Sequence, residues 1–274
     1  MKTGRVGKFT LALATIVVLI IVFRAGVIPF IDKQLPSISR VIKSEVEKDE
    51  TPLPDFKAVD DVTQKKLTFF NYFRPLVIEE NTMIINERKQ IQSILAHLQE
   101  GEPLTAAEKL QLDRIAKRYR LAGKDIGIKQ LKQLLLKVDT IPVELVLVQA
   151  ANESGWGSSR FSQKGNNYFG QWCFSKGCGL VPLSRTPGLN HEVAVFDSPK
   201  DSVIAYMNNL NNNQAYKMFR SIRADLRAQH IEPTAEELVY GLMHYSERKQ
   251  AYIDELLDML RHNKKLLQGT AVNA

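Results

Sequence analysis

Of the acidic residues in this chain, Glu153 stands in the context best suited to acid–base work: Asn152-Glu153-Ser154-Gly155-Trp156-Gly157. A carboxyl group donates protons near neutral pH only where its surroundings disfavour the charged form. Two such influences are readable. Val143, Val146, Leu147 and Ala150 recur at helical spacing, and Leu145 and Val148 are apolar as well, so the preceding helix is expected to be buried. Gly155 supplies its stop, because glycine tolerates the left-handed conformation that ends a helix. Glu153 then lies in the last turn, at the negative end of the helix dipole, where a second negative charge is disfavoured. The plain alternative is a solvated helix-end glutamate paired with a nearby Arg or Lys.

The elements around this helix follow from the same patterns. Asp139 or Thr140 is expected to cap it, with Pro142 at the first helical position. Upstream, Val62 to Gly101 carries a long helical pattern with a break expected at Pro75. Thr105 to Leu121 and Ile128 to Val138 give two more helices. From Gly165 to Asp197 the helical period is lost. There Gly179 to Leu183 and His191 to Phe196 flank Thr186-Pro187-Gly188, which predicts a β-hairpin. Ser198 and Pro199 open the next helix. Ala215 to Gln229, Thr234 to Met243 and Ser246 to Leu267 follow, the last amphipathic through Tyr252, Leu256, Met259 and Leu260. The fold class is therefore mainly α, with a small inserted β-hairpin lobe after the acid. A cleft between lobe and helical body is the expected ligand site.

The chain has 274 residues, 44% of them hydrophobic, and a net charge of +7. Lys2, Arg5 and Lys8 precede an uncharged run from Phe9 to Phe23, and Ala25 to Phe30 continues it beyond Arg24. Residues 9–30 as one helix would span roughly 33 Å, the thickness of the hydrocarbon layer. Residues 1–31 are thus expected to be a cytoplasmic tip and a single-pass, N-terminal transmembrane helix in the inner membrane. The basic start leaves the remainder in the periplasm. Phe23-Arg24-Ala25 is a poor cleavage site, which favours an uncleaved anchor over a signal peptide removed on secretion to the periplasm. Residues 32–61, polar and holding Pro36, Pro52 and Pro54, read as a tether. The positive charge suits a membrane surface or a wall polymer, and export excludes nucleic acid as a partner. Four residues separate Cys173 from Cys178. In an oxidising compartment that spacing allows a disulfide contributing about 2 kcal/mol. Neither a metal site nor a cofactor is expected, since His191 is the only histidine near the cysteines in sequence.

Glu153-Ser154-Gly155-Trp156-Gly157-Ser158-Ser159 is followed by Asn166-Asn167-Tyr168-Phe169-Gly170. The pair resembles the glucosaminidase domain family of peptidoglycan hydrolases, whose pattern is E-S-G-W-G-x-S and then N-x-F-G. Either element alone is weak; both in this order are specific. The resemblance covers residues 130–267, leaving 62–129 as a helical extension and 268–274 as a tail. It implies a lysozyme-like core, Glu153 as catalytic acid and the glycan strands of peptidoglycan as substrate. The bond cut would be the β-1,4 link after N-acetylglucosamine. Trp156, Asn167, Tyr168 and Phe169 would line or shape the sugar cleft, although Trp156 and Phe169 also suit simple core packing.

A family tyrosine motif, Tyr-Ala-Thr-Asp-Pro-x-Tyr, corresponds to Tyr245 through Tyr252. Here the Asp-Pro is absent and the spacing is one residue longer. Tyr245 matches the first tyrosine, a phenol able to bind a sugar or stabilise charge. Tyr252 matches the second, while its place in the apolar stripe also fits the core. Glycosidases usually set a base or nucleophile opposite the acid, and family members that have one carry it on the hairpin. The first strand here, Val181 to Arg185, holds no acid. Glu192 on the second strand is the best remaining partner, with Asp197 behind it. The substrate's own acetamido group is the alternative nucleophile. A lytic transglycosylase or muramidase on the same core, and a non-catalytic wall-binding protein, are the competing functions.

Overall fold

A computed structural model describes residues 52–121, 126–183, 185, 188 and 190–269. Its longest element is helix α1 (Val62–Gln99), started by Asp61, whose carboxylate accepts the Gln64 N–H at 2.7 Å. Phe69, Phe70, Phe73, Val77, Ile84, Ile91 and Ile94 form its buried stripe. The helix passes through Pro75 without the expected break. Proline removes one N–H and frees the carbonyl four residues back. Pro75 and Asn71 both lie on the exposed face, so water can satisfy that carbonyl while Phe73 and Val77 bury on the other side.

Helices α2 (Ala106–Arg118) and α3 (Ile128–Lys137) pack on α1. Thr105 and Glu108 form a capping box at the start of α2. Buried Glu80 of α1 pairs with Arg118 of α2, and burial pushes the Glu80 carboxyl up.

Helix α4 (Val143–Ser154) crosses the middle of the core, with Leu145 to Ala151 all buried. Its start differs from the expected capping. Pro142 occupies the cap position itself, and no side chain caps the helix. The Asp139 carboxylate accepts the Thr140 N–H at 2.8 Å and pairs with Arg227 at 3.2 Å. Arg223, wholly buried, donates to the carbonyls of Asp139 and Thr140, both at 3.0 Å. The entry to α4 is therefore fixed from outside the helix.

A short helix, α5 (Arg160–Gly165), precedes a three-stranded antiparallel sheet of β1 (Trp172–Cys173), β2 (Gly179–Leu180) and β3 (Glu192–Ala194). The strand order is β1-β3-β2, with Trp172 opposite Val193 and Leu180 opposite the same residue. The expected hairpin is thus present as β2 and β3, shortened, and joined by an unanticipated β1. Its Thr186-Pro187 turn lies outside the described residues. The Cys173–Cys178 disulfide closes the link between β1 and β2.

Helix α6 (Pro199–Asn212) starts at Ser198 and Pro199 as expected. Then come α7 (Lys217–Ala228), α8 (Ala235–Leu238) with a 3₁₀ turn to Leu242, α9 (Gln250–His262) and α10 (Lys264–Leu267). Helices α1, α4, α6, α7 and α9 contribute to one hydrophobic core. The fold is mainly helical with a small sheet. Among the described residues no helix is long and apolar enough to cross a membrane. The segment 9–30, expected as an anchor, lies outside those residues.

Candidate active site

The Glu153-to-Ser159 run is a compact double turn, and each residue type in it has a structural reason. Gly155, Trp156 and Gly157 all adopt positive φ, at 57°, 57° and 74°. The Trp156 N–H reaches the Ala151 carbonyl at 2.8 Å and the Gly155 N–H that of Asn152 at 3.4 Å, a Schellman ending. The buried Ser154 hydroxyl donates to the Ala150 carbonyl at 2.6 Å and accepts the Gly157 N–H at 2.9 Å. A Cβ at Gly157 would overlap the Phe56 ring. Ser159 caps α5.

Glu153 is partly exposed at this helix end. Its Oε1 accepts a hydrogen bond from the Tyr252 phenol at 2.8 Å. Its Oε2 faces Gly170, where a Cβ would lie 3.6 Å away. Burial pushes the Glu153 carboxyl above its ordinary value; the Tyr252 hydrogen bond and the Arg248 charge oppose this, and Glu255 adds to it. The raised value expected from sequence is present, with burial as the leading cause.

Behind Glu153, Tyr252, Gln149 and Tyr206 are buried and Tyr245 is half-buried. Tyr252 stacks on Tyr245 with centroids 5.6 Å apart, and the Tyr245 hydroxyl donates to the Phe169 carbonyl at 2.8 Å. Phe169 in turn stacks on Tyr206 at 4.0 Å. Gln149 donates to the Tyr252 oxygen at 2.9 Å and accepts the Tyr206 hydroxyl. Nothing in the sequence pattern singled out Gln149 or Tyr206. The only local signal is one amide inside an otherwise apolar buried helix.

The asparagine–aromatic run works mainly from inside the protein. Asn167 is buried, donates to the carbonyls of Gln171 and Ala194, and accepts the N–H groups of Phe169 and Gln171. It fixes the turn that carries Gly170 past Glu153. Tyr168 packs against Phe73 at 4.5 Å, within the core. Phe169 is likewise buried. Trp156 lies edge-on to Phe69, with the Lys66 ammonium 5.3 Å from its ring. It lines a groove of about 760 Å³ between α1, the end of α4 and α9, together with Lys66, Asn152, Arg248 and Glu255. Glu153 is not among the groove's lining residues.

Glu192 opens β3 and is buried. Its two oxygens accept the N–H groups of Gly177 at 3.0 Å and Gly179 at 2.8 Å, which hold the carboxyl below its ordinary value. It thereby ties the disulfide loop to β3. Asp197 is exposed. Among the described residues, Cys173, Cys178 and Glu192 form the one cluster with metal-ligand atoms close together, and its sulfurs are bonded to each other. Sequence reasoning also passed over Trp172, which is 57% exposed and stacked on His191 at 4.3 Å. It leaves one flat face toward solvent two residues from Gly170.

A glutamate of raised pKa at a helix end, beside a small sheet, is an arrangement suited to general-acid chemistry. Residues 129–265 match the glucosaminidase family, described as mannosyl-glycoprotein endo-beta-N-acetylglucosaminidase, and the chain belongs to that family. Protein bax of Escherichia coli (strain K12) is 34% identical over 217 residues, covering 78% of this chain and 76% of that relative. No solved structure matches the chain.

Proposed function

We propose that the chain is an endo-β-N-acetylglucosaminidase that hydrolyses β-1,4 bonds of peptidoglycan glycan strands, with Glu153 as general acid. The carrying observation is the asymmetry of that carboxyl. One oxygen is held by Tyr252 and the other faces Gly170 with no hydrogen-bond partner among the described residues, while burial favours the protonated form. A proton on the free oxygen can pass to the glycosidic oxygen as the C1–O bond breaks. Tyr252 orients the acid, and Tyr245 supports Tyr252 by stacking. Trp156 and the outer face of Trp172 offer aromatic surfaces for sugar rings.

Glu192 is poorly disposed to serve as the opposing base, because both its oxygens already accept backbone N–H groups. This favours the substrate's acetamido oxygen as the group that attacks C1, giving an oxazolinium ion that water then opens. The enzyme acts on the wall from the periplasm, tethered to the inner membrane through residues 9–30.

The test is digestion of purified sacculi by the full chain in mild detergent, with mass spectrometry of the new ends. Reducing N-acetylglucosamine ends are expected, and Glu153→Gln should release them about 10²- to 10⁴-fold more slowly. Anhydro-muramyl ends would instead identify a transglycosylase. Binding without cleavage, equal in wild type and Glu153→Gln, would leave only a wall-binding protein.

A further inference from the structure

Helix α4 buries one amide, Gln149, among apolar residues, and two other helices bring side chains to it. Tyr206 comes from α6 and Tyr252 from α9; both are buried. An amide without partners in such a place would cost several kcal/mol. Two tyrosines satisfy it, and they do so with a direction. Tyr206 donates to Gln149 Oε1, Gln149 Nε2 donates to the Tyr252 oxygen at 2.9 Å, and Tyr252 donates to Glu153 Oε1 at 2.8 Å.

A phenol has a single hydrogen to give. Because the amide N–H approaches the Tyr252 oxygen, that hydrogen is committed to Glu153. Glu153 Oε1 is then an acceptor, and the carboxyl's own proton belongs on Oε2, beside Gly170. Turning the amide over would reverse each bond. Tyr252 would donate to Gln149, and Glu153 would have to donate to Tyr252 from Oε1, away from Gly170.

We infer that Gln149, held by Tyr206, is a positioning residue that fixes Tyr252 as donor and so selects which oxygen of Glu153 carries the transferable proton. The inference rests on Glu153 being the acid of the proposed function and adds to it residues that never touch substrate. Among the described residues, the ionisable groups facing Glu153 are Tyr252 and Glu255 on α9, Arg248 just before it, Tyr206 on α6, and Tyr216 and Tyr245 on the turns beside them. Of these, Tyr206 and Tyr252 are the two that contact Gln149.

Gln149→Met keeps the volume and removes the amide. The neutral acid can then donate to Tyr252 as well as accept from it, and the Tyr252 hydroxyl, no longer polarised by the amide N–H, holds the ionised form less strongly. In Gln149→Met, Glu153 should titrate higher by about half a pH unit or more, the equivalent of one hydrogen bond. Tyr206→Phe should move it the same way by less.

The experiment is a ¹³C-detected titration of the Glu153 carboxyl in the full chain, labelled with ¹³C-glutamate, alongside the pH dependence of turnover on sacculi. The Glu153→Gln spectrum assigns the signal. Upward shifts in Gln149→Met and Tyr206→Phe support the inference. Lower melting temperatures with an unmoved Glu153 titration would overturn it, since a purely structural amide predicts that result. Should Gln149→Met fail to fold, Tyr206→Phe decides alone. Full turnover by Glu153→Gln would sink the acid itself. A slow Glu153→Gln with unshifted Gln149→Met and Tyr206→Phe would leave the acid standing and remove only this inference.

Discussion

Tyr252 holds Glu153 from 99 residues away in sequence, its phenol donating to Oε1 at 2.8 Å. The contact joins α4 to α9 and opposes burial. Burial favours the neutral acid, and the phenol hydrogen favours the carboxylate. The acid is therefore poised between two environments, each supplied by a different helix.

Tyr252→Phe keeps the ring that stacks on Tyr245 and removes only the hydroxyl. Glu153 loses the largest of the influences that lower its pKa, so its titration should move up. The alkaline limb of the pH–rate profile should follow it to higher pH, because a general acid works only while protonated. The Gln149 N–H is left without an acceptor, at a cost of about 1–3 kcal/mol. Denaturant midpoints and pH–rate curves measure the two effects separately. A limb that moves to lower pH would contradict the geometry.

Glu153 should also cost the protein stability near neutrality. Its folded pKa is raised above the unfolded value. Between the two values the native state binds the extra proton, so stability falls as pH rises through that window. Glu153→Gln carries no such charge and should melt above wild type at neutral pH. The difference should vanish below the unfolded pKa, where both side chains are neutral. Melting curves at a series of pH values decide this, and a variant that melts lower at neutral pH would refute it.

The local parts of this site were legible in the sequence. Gly155 ends α4 in the left-handed region, Ser198 caps its helix, and the cysteines are paired, because each depends on a few neighbouring residues. What was not legible depends on tertiary packing. Pro75 breaks helices in general, yet here the buried face of α1 outweighs one missing hydrogen bond. Asn167 and Tyr168 sit in a motif that suggests a sugar cleft, but their side chains point inward to the turn and the core. Gln149 is one polar letter in an apolar run. Its use depends on Tyr206 and Tyr252, 57 and 103 residues distant.

Gly170 offers a test of the free oxygen. Its φ of +62° makes any side chain there strained, by roughly 1–2 kcal/mol. A methyl would also stand 3.6 Å from Glu153 Oε2, where the proposed mechanism brings the glycosidic oxygen. Gly101 has a φ of +83° and open space around it. Gly170→Ala and Gly101→Ala should therefore lose similar stability, while turnover falls at least about tenfold in the first and stays at the wild-type level in the second. Equal turnover in both would mean that Oε2 is not the working oxygen.

The β lobe should open in acid before the helical body does. Glu192 has a lowered carboxyl, held by the N–H groups of Gly177 and Gly179. Its contribution is present above the unfolded carboxylate pKa and is lost as pH falls through the lower folded value. Reducing the Cys173–Cys178 bond removes about 2 kcal/mol by loop-entropy arithmetic. Both changes act on a small sheet set apart from the helical core, so they should appear as proteolytic cleavage between about residues 174 and 191, with α4 and α9 still protected. Glu192→Gln should show the same cleavage already at neutral pH. A structural Glu192 also predicts a modest loss of turnover that follows lobe opening. A catalytic base predicts a loss of about 10²- to 10⁴-fold with the lobe still closed. Proteolysis and turnover measured on one preparation separate the two, and a closed, inactive Glu192→Gln would return the base to this carboxylate.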